Sequence, residues 1–456
     1  MRKSILEKLF SAPAEILEKS VELEQEIKHD IENQKPVKAG REYWKILGPG
    51  LTTGAADDDP SGIATYSQMG ASRGFRLIWL SLFSFPFMGV VQEMCARIGL
   101  VTGVGLATNI KRNFSKRILY LCTFLLLFAN VFNIGADLGA MAEGTRLVFP
   151  HFGFSFLVIA FAVLTLGLQI FIPYKRYSKY LKYLALILFA YVFSAFSVKV
   201  NWGDVLHHTV IPAISFSKDE LILICAAFGT TISPYLFFWQ TSQEVEEDIM
   251  KGKRAEEMRR AETTPDDIRK MRIDNWSGMF LSNLIMFFII ATCAATLYQS
   301  GITNIRTAAD AALALKPFAG NLAFLLFAFG IVGVGLLAIP VLAGSASYAM
   351  SETFGWKFGL YRKLKRATSF YGVIITAVGL GVLLNFLGVD PIKTLIYSAV
   401  LNGIISPIIL FFIVKISAQE GIMGEFKNKK IANILGWTIV GFLSVVSILT
   451  VIFLLV

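Results

Sequence analysis

Residues 44–71 read WKILGPGLTTGAADDDPSGIATYSQMGA, an apolar run whose middle carries three consecutive carboxylates, Asp57, Asp58 and Asp59, then Pro60 and Gly62. The neighbouring runs fix the solvent around it. ILYLCTFLLLFANVF (118–132) and VGFLSVVSILTVIFLLV (440–456) each approach the ~20 apolar residues that a membrane-spanning helix needs, and about eleven such runs succeed one another. With 55% hydrophobic and 17% charged residues and 38 Phe in 456, the composition is that of an all-α polytopic membrane protein. A charged side chain at mid-membrane costs at least ~2.5 kcal/mol, so the aspartates must face a partner, a cavity or a cation. Pro60 has no amide proton and clashes with the preceding turn, and Gly62 tolerates unwinding, so the first span is expected to break across 57–62 and expose carbonyl oxygens.

A second run, ELILICAAFGTTISPYLFFWQ (220–240), repeats the design with Gly229, Thr230, Thr231, Ser233 and Pro234 at its centre. Read alone, such a cluster is as often a kink as a site. Paired with the first break at the corresponding position of a second half, it points to an inverted-repeat transporter with its site near the membrane midplane.

The net charge of +10 resides largely in loops that recur after every second apolar run, which fits the positive-inside rule and gives no call for a nucleic-acid partner. Basic loops around Lys111/Arg112, Lys175–Lys182, Lys251–Arg272, Lys357–Arg366 and Lys415–Lys430 are assigned to the cytoplasmic side. Both the N-terminus and its amphipathic stretch, with Leu6, Leu9, Phe10, Ile16 and Leu17, then lie in the cytoplasm and Val456 outside, in an integral plasma-membrane protein of a prokaryote. The expected organisation is a charged segment at 1–43, five spans in 44–200 and an external loop at 201–217. Five more spans follow in 218–416, broken at 229–234 and interrupted by a charged cytoplasmic loop at 242–272 that reads as a solvated helix pair, and 417–456 hold a linker and an eleventh span. The four cysteines lie in or beside apolar runs without metal-binding spacing and read as packing residues. Glu93 and Arg97, four apart, can pair along one helix face. The adjacent His207 and His208 lack a third ligand and read as solvated. Asn283 is expected to join helices.

DDDPSGIA at 57–64 and the 229–235 pattern resemble the Nramp family of divalent-metal transporters. ARIGLVTG (96–103), GADLGAMAEG (135–144), LAGSASYAMSE (342–352) and SAVLNGIISP (398–407) follow in family-like order, so the resemblance spans nearly the whole chain. It implies a LeuT-type fold, two inverted five-helix repeats with an eleventh helix, and a metal held between the broken spans. Asp59 then falls on the family's metal-binding aspartate, Ala56 and Thr230 on carbonyl donors, Gly62 on an asparagine ligand, Ser233 on the methionine and Tyr235 on the histidine. Ala399 replaces a glutamine of the tenth span, with Asn402 nearly one turn further on. Asp58 is a further candidate ligand. Asp137, Tyr235 and Asn402 are candidates for proton or outer-shell positions, whereas Ala140 stands where the family has a glutamate.

Loss of the thioether leaves oxygen donors, which lowers selectivity for soft metals. Gly62 and Ser233 in place of larger ligands suggest a wider site suited to Mg²⁺, an ion that gives up water reluctantly. The pattern resembles the family's magnesium-transporting branch. Uptake of Mg²⁺, with Mn²⁺ as a further ion, by alternating access without strong proton coupling is the leading expectation, in a monomer without a cofactor. A proton-coupled Mn²⁺/Fe²⁺ symporter and a LeuT-type amine or amino-acid transporter are the alternatives. No HExxH or GxSxG constellation supports an intramembrane enzyme.

Overall fold

The computed structural model describes residues 43, 46–172, 188–215 and 217–455. The amphipathic N-terminal stretch and the basic loop at Lys175–Lys182 lie outside them. All regular elements among the described residues are helices.

The first apolar run forms α1 (Pro49–Asp57) and α2 (Pro60–Arg73), separated at Asp58 and Asp59. A 3₁₀ turn at Gly74–Leu77 leads into α3 (Trp79–Thr102), and the chain bends by 105° there. There follow α4 (Leu106–Asn113), α5 (Lys116–Val148), α6 (Phe154–Phe171), α7 (Phe189–Ser197) and α8 (Trp202–Val210). The sixth run is likewise split, into α9 (Lys218–Thr231) and α10 (Pro234–Met250). The remainder comprises α11 (Glu256–Ala261), α12 (Pro265–Cys293), α13 (Ala323–Phe354), α14 (Thr368–Leu384), α15 (Pro391–Ala418) and α16 (Lys430–Leu455). Pro60, Pro234, Pro265 and Pro391 each open a helix, where a missing N–H costs nothing. The expected apolar runs thus all coincide with helix, the fifth only through its described end, α7.

Burial sorts the spans radially. The apolar window of α9–α10 is 94% buried, against 28% for α6 and 33% for α16. The second broken span is therefore central, and α6 and α16 face lipid with Phe156, Phe171, Ile448 and Leu455 exposed. Glycines let backbones touch at the centre. A Cβ on Gly403 of α15 would sit 2.8 Å from Cys225 Sγ of α9, and one on Gly54 of α1 would lie 2.9 Å from Gly278 Cα of α12. Such close approach is how membrane helices pack where apolar burial gives no gain over lipid.

Several expectations are met at residue level. The four cysteines are free and buried. Glu93 and Arg97 pair at 3.5 Å, and Glu93 also accepts from Arg272 at 2.9 Å and from Trp276 Nε1 at 2.8 Å. Asn283 donates to Met279 O at 2.9 Å and takes the Ser84 hydroxyl at 2.7 Å, joining α12 to α3. His207 is exposed.

The segment at 201–217, expected as a loop, contains the short helix α8. One expectation is corrected. The stretch at 242–272 is helical as expected, in the end of α10, in α11 and in the start of α12, but it is not solvated throughout, because Ser242, Gln243, Glu244, Glu246 and Asp248 of α10 are buried. These acids are buried because each finds a partner. Glu246 accepts from the Tyr348 hydroxyl and the Leu360 amide, both at 2.5 Å, and Glu244 takes Gln240 Nε2 at 2.9 Å. Asp248 pairs with Lys253 at 3.5 Å.

Candidate functional site

Asp59 is the N-cap of α2, extended at φ −68° and ψ 173°, and its Oδ1 accepts the Gly62 amide at 2.8 Å and the Ser61 hydroxyl at 2.6 Å. The break thereby supplies its own cap, and the carboxylate sits at the positive end of a helix. Its other oxygen, Oδ2, accepts Asn133 Nδ2 of α5 at 2.9 Å. The same amide nitrogen reaches Asp137 Oδ2, one turn further along α5, at 3.2 Å, and Asn133 Oδ1 accepts Asn402 Nδ2 of α15 at 3.3 Å. Asp59, Asn133, Asp137 and Asn402 are each at most 1% exposed.

Asp57 and Asp58 turn to α12, where the Ser282 hydroxyl lies 2.6 Å from Asp57 Oδ2 and 3.2 Å from Asp58 Oδ1. One hydroxyl proton serves one of these carboxylates at a time. Asp57 Oδ1, Asp137 Oδ1 and Asn402 Oδ1 are buried acceptors with no donor among the described residues.

The sixth-span break is held by hydroxyls. Thr230 and Thr231 return their protons to Ala227 O at 2.8 and 3.0 Å. Ser233 bonds to Thr230 O at 2.8 Å and also to Gly229 O, while Ser406 of α15 covers Ile232 O. The two breaks are joined by Tyr235 Oη, which donates to Ala56 O at 3.0 Å, and by Tyr66 Oη, 2.8 Å from Thr230 Oγ1. Deeper along α1, Thr53 Oγ1 donates to Gln240 Oε1 of α10 at 2.5 Å. At the start of α1 the amides of Gly50 and Leu51 are capped by Asp274 of α12, at 2.7 and 3.0 Å.

The structure gathers Asp59, Ala56, Gly62, Tyr235, Asp137 and Asn402 around the breaks. Asp58 diverges toward Ser282, and Thr230 meets the first break through its hydroxyl. The Ser233 side chain is folded back onto the end of α9. Gly62 does not create room, because a Cβ there would meet Asp57 O and the Tyr66 ring, each at 3.3 Å, and Asp59 Oδ1 at 3.6 Å. That space is already filled, which corrects the expectation of widening at this position. Asn133, Ser282 and Asp274 were not anticipated. Asn133 had a signal, since it precedes Asp137 by one helical turn and so shares its face.

Among the described residues no three His, Cys, Asp or Glu side chains converge closely enough to hold a metal ion by themselves. An ion seated beside Asp59 would have to complete its shell with carbonyl oxygens, amides or water, a donor set for hard cations.

Residues 50–453 match the family model for Nramp, natural resistance-associated macrophage protein-like. A divalent metal cation transporter, MntH, of Caldanaerobacter subterraneus is 25% identical over 89% of this chain and 92% of its own length. Its namesake from Erwinia tasmaniensis is 26% identical over 89% and 94%. Among solved structures, the manganese transporter of Eremococcus coleocola superposes with a TM-score of 0.71 at 19% identity, covering 89% of this chain and 86% of that one. The inward-facing form of Mhp1 gives 0.53 at 15% identity over 89% of each. At these identities the two likenesses establish the fold, the LeuT-type arrangement.

Proposed function

We propose that this chain, which belongs to the Nramp family, carries a divalent metal cation through the membrane by alternating access, and that partly hydrated Mg²⁺ is its preferred ion. The observation that carries this is Asp59, a buried carboxylate whose Oδ1 caps one half-helix while its Oδ2 faces a polar cluster of α5 and α15. A carboxylate so placed offers charge to a cation while its own backbone demands are met. Ser233 in place of a thioether leaves an oxygen-lined surround, and oxygen favours hard ions. Magnesium binds proteins through few carboxylates with several waters retained, which agrees with the shortage of convergent acidic ligands among the described residues.

Histidine is absent from every apolar run, so an imidazole relay has no candidate here. Ala140 likewise offers no carboxylate for protons. Uptake driven by the ion's own gradient, without strong proton coupling, follows as the proposed mode, with the N-terminus in the cytoplasm. The second reading is Mn²⁺ carriage with protons. It is favoured by Asp137, a buried carboxylate one amide away from Asp59, and by the names of the similar proteins.

The test is uptake of Mg²⁺ and Mn²⁺ into proteoliposomes carrying a pH-sensitive dye inside, for the native chain and Asp59→Ala. Mg²⁺ entry that depends on Asp59 and leaves the dye unchanged is the expected outcome. Mn²⁺ entry with acidification and exclusion of Mg²⁺ would establish the second reading instead.

A further inference from the structure

We infer that Asn133, Asn402 and Asp137 form a cradle for the water shell of the carried ion, on the Oδ2 side of Asp59. It rests on the proposed divalent-cation function and gives that site a part that selects for hydration.

Amide chemistry fixes the orientation of both asparagines. Asn133 has two N–H hydrogens and faces two carboxylates, Asp59 at 2.9 Å and Asp137 at 3.2 Å, so its nitrogen must lie between them. Its oxygen then points to α15 and accepts the Asn402 amide at 3.3 Å. That bond places the Asn402 nitrogen toward Asn133 and leaves the Asn402 oxygen as a presented acceptor. Asn402 Oδ1 and Asp137 Oδ1 are both buried and neither accepts a hydrogen bond among the described residues. Among the described residues no lysine, arginine or hydroxyl stands among the partners of either side chain.

Two buried acceptors without donors, beside a carboxylate available to a cation, call for a ligand that brings hydrogens of its own. The waters of a hydrated cation do so, because the ion polarises their O–H bonds outward. Asn133 spends both of its polar groups on neighbouring side chains. It is therefore a positioning residue, and Asp137 Oδ1 and Asn402 Oδ1 are the atoms that meet water. An ion that keeps its shell uses these contacts fully, whereas one that exchanges water readily can bind Asp59 directly and depends on them less.

The test compares Mg²⁺ and Mn²⁺ uptake by the full-length chain in proteoliposomes, as KM and maximal rate, for native protein, Asn133→Leu and Asn402→Ala. Loss of water-accepting contacts is expected to raise the KM for Mg²⁺ about tenfold, with the maximal rate within about twofold and the KM for Mn²⁺ raised less than about threefold. An equal shift for both ions, or none, overturns the cradle. Asn133→Leu removes a buried amide and can impair folding. Asn402→Ala leaves the Asn133 bonds to Asp59 and Asp137 in place, so an unchanged preference between the ions in that variant overturns the cradle by itself. If native protein shows no Asp59-dependent uptake of either ion, the functional reading fails in the control arm, and the cradle falls with it.

Discussion

The two broken spans look alike as sequence and differ as chemistry. Both put a proline at the first residue of the second half-helix, at Pro60 and Pro234. In the first, the residue before the proline is Asp59, which caps the half-helix and carries charge. In the second it is Ser233, which turns back on its own carbonyls and leaves the following half-helix without a side-chain cap. One break supplies charge and the other a neutral wall of hydroxyl-covered carbonyls, with Tyr235 and Tyr66 tying the two together. A helix interruption in a membrane has to satisfy its freed backbone groups, and the residue that does so decides what else the break can bind.

That contrast can be broken most severely at Asp59. Asp59→Ala removes cap and charge together, and uptake of the ion should fall about 100-fold or more, a size typical of losing one side of a buried charged interaction. Tyr235→Phe cuts one bond between the breaks and should reduce uptake efficiency about fivefold, the worth of roughly one hydrogen bond, with Asp59 chemistry intact. Uptake kinetics read both. Ser233→Ala should leave uptake within about twofold while lowering stability by ~1 kcal/mol, seen as earlier thermal unfolding in detergent. A loss of uptake there as deep as for Asp59→Ala would mean the second break also contributes directly to the ion.

The smallest effect lies after the second broken span, where Arg112 of α4 grips Glu256 of α11 through two bonds at 2.6 and 2.9 Å. The Arg112 hydrogen bond holds the Glu256 carboxyl below its usual range. A depressed acid contributes stability in full above its unfolded pKa, near 4.3, and loses it as pH falls through the lower folded value. Arg112→Ala should therefore cost only ~0.2–1 kcal/mol at pH 7, as for other partly exposed pairs, and the difference from native protein should shrink as pH falls below about 4.3 and vanish once it passes below the folded value. Thermal unfolding against pH measures it.

The spans and both breaks were legible because bilayer length and the cost of buried charge act on composition, which a sequence displays directly. The same cost marked Asp57, Asp58 and Asp59 together, and the family resemblance singled out Asp59 among them. What stayed hidden depends on which helix lies beside which. Glu244, Glu246 and Asp248 look like one charged, solvated turn, yet each is buried against a donor, two of them supplied from the same helix or the turn after it and one, for Glu246, from α13 and the segment after it. Ser282 and Asp274 lie in α12, 224 residues in sequence from the groups they bind in the first span. Asn133 was within reach, one turn from Asp137, but an asparagine in an apolar helix resembles ordinary interhelical bonding until its two carboxylate partners are seen.

The seam between α1 and α12 is smooth. At Gly50, Gly54 and Gly278 backbone lies on backbone, and Asp274 holds the first turn of α1 by two amide hydrogens. Surfaces joined by meshed side chains must unmesh before they part, like cogs, and each tooth adds to the barrier. At these glycines the contact is closer to a plain bearing with a catch at each end, Asp274 on the amides of Gly50 and Leu51 and Ser282 on Asp57: rotation or sliding of α1 there meets no interlocked side chains, and release of the catches is an exchange of hydrogen bonds.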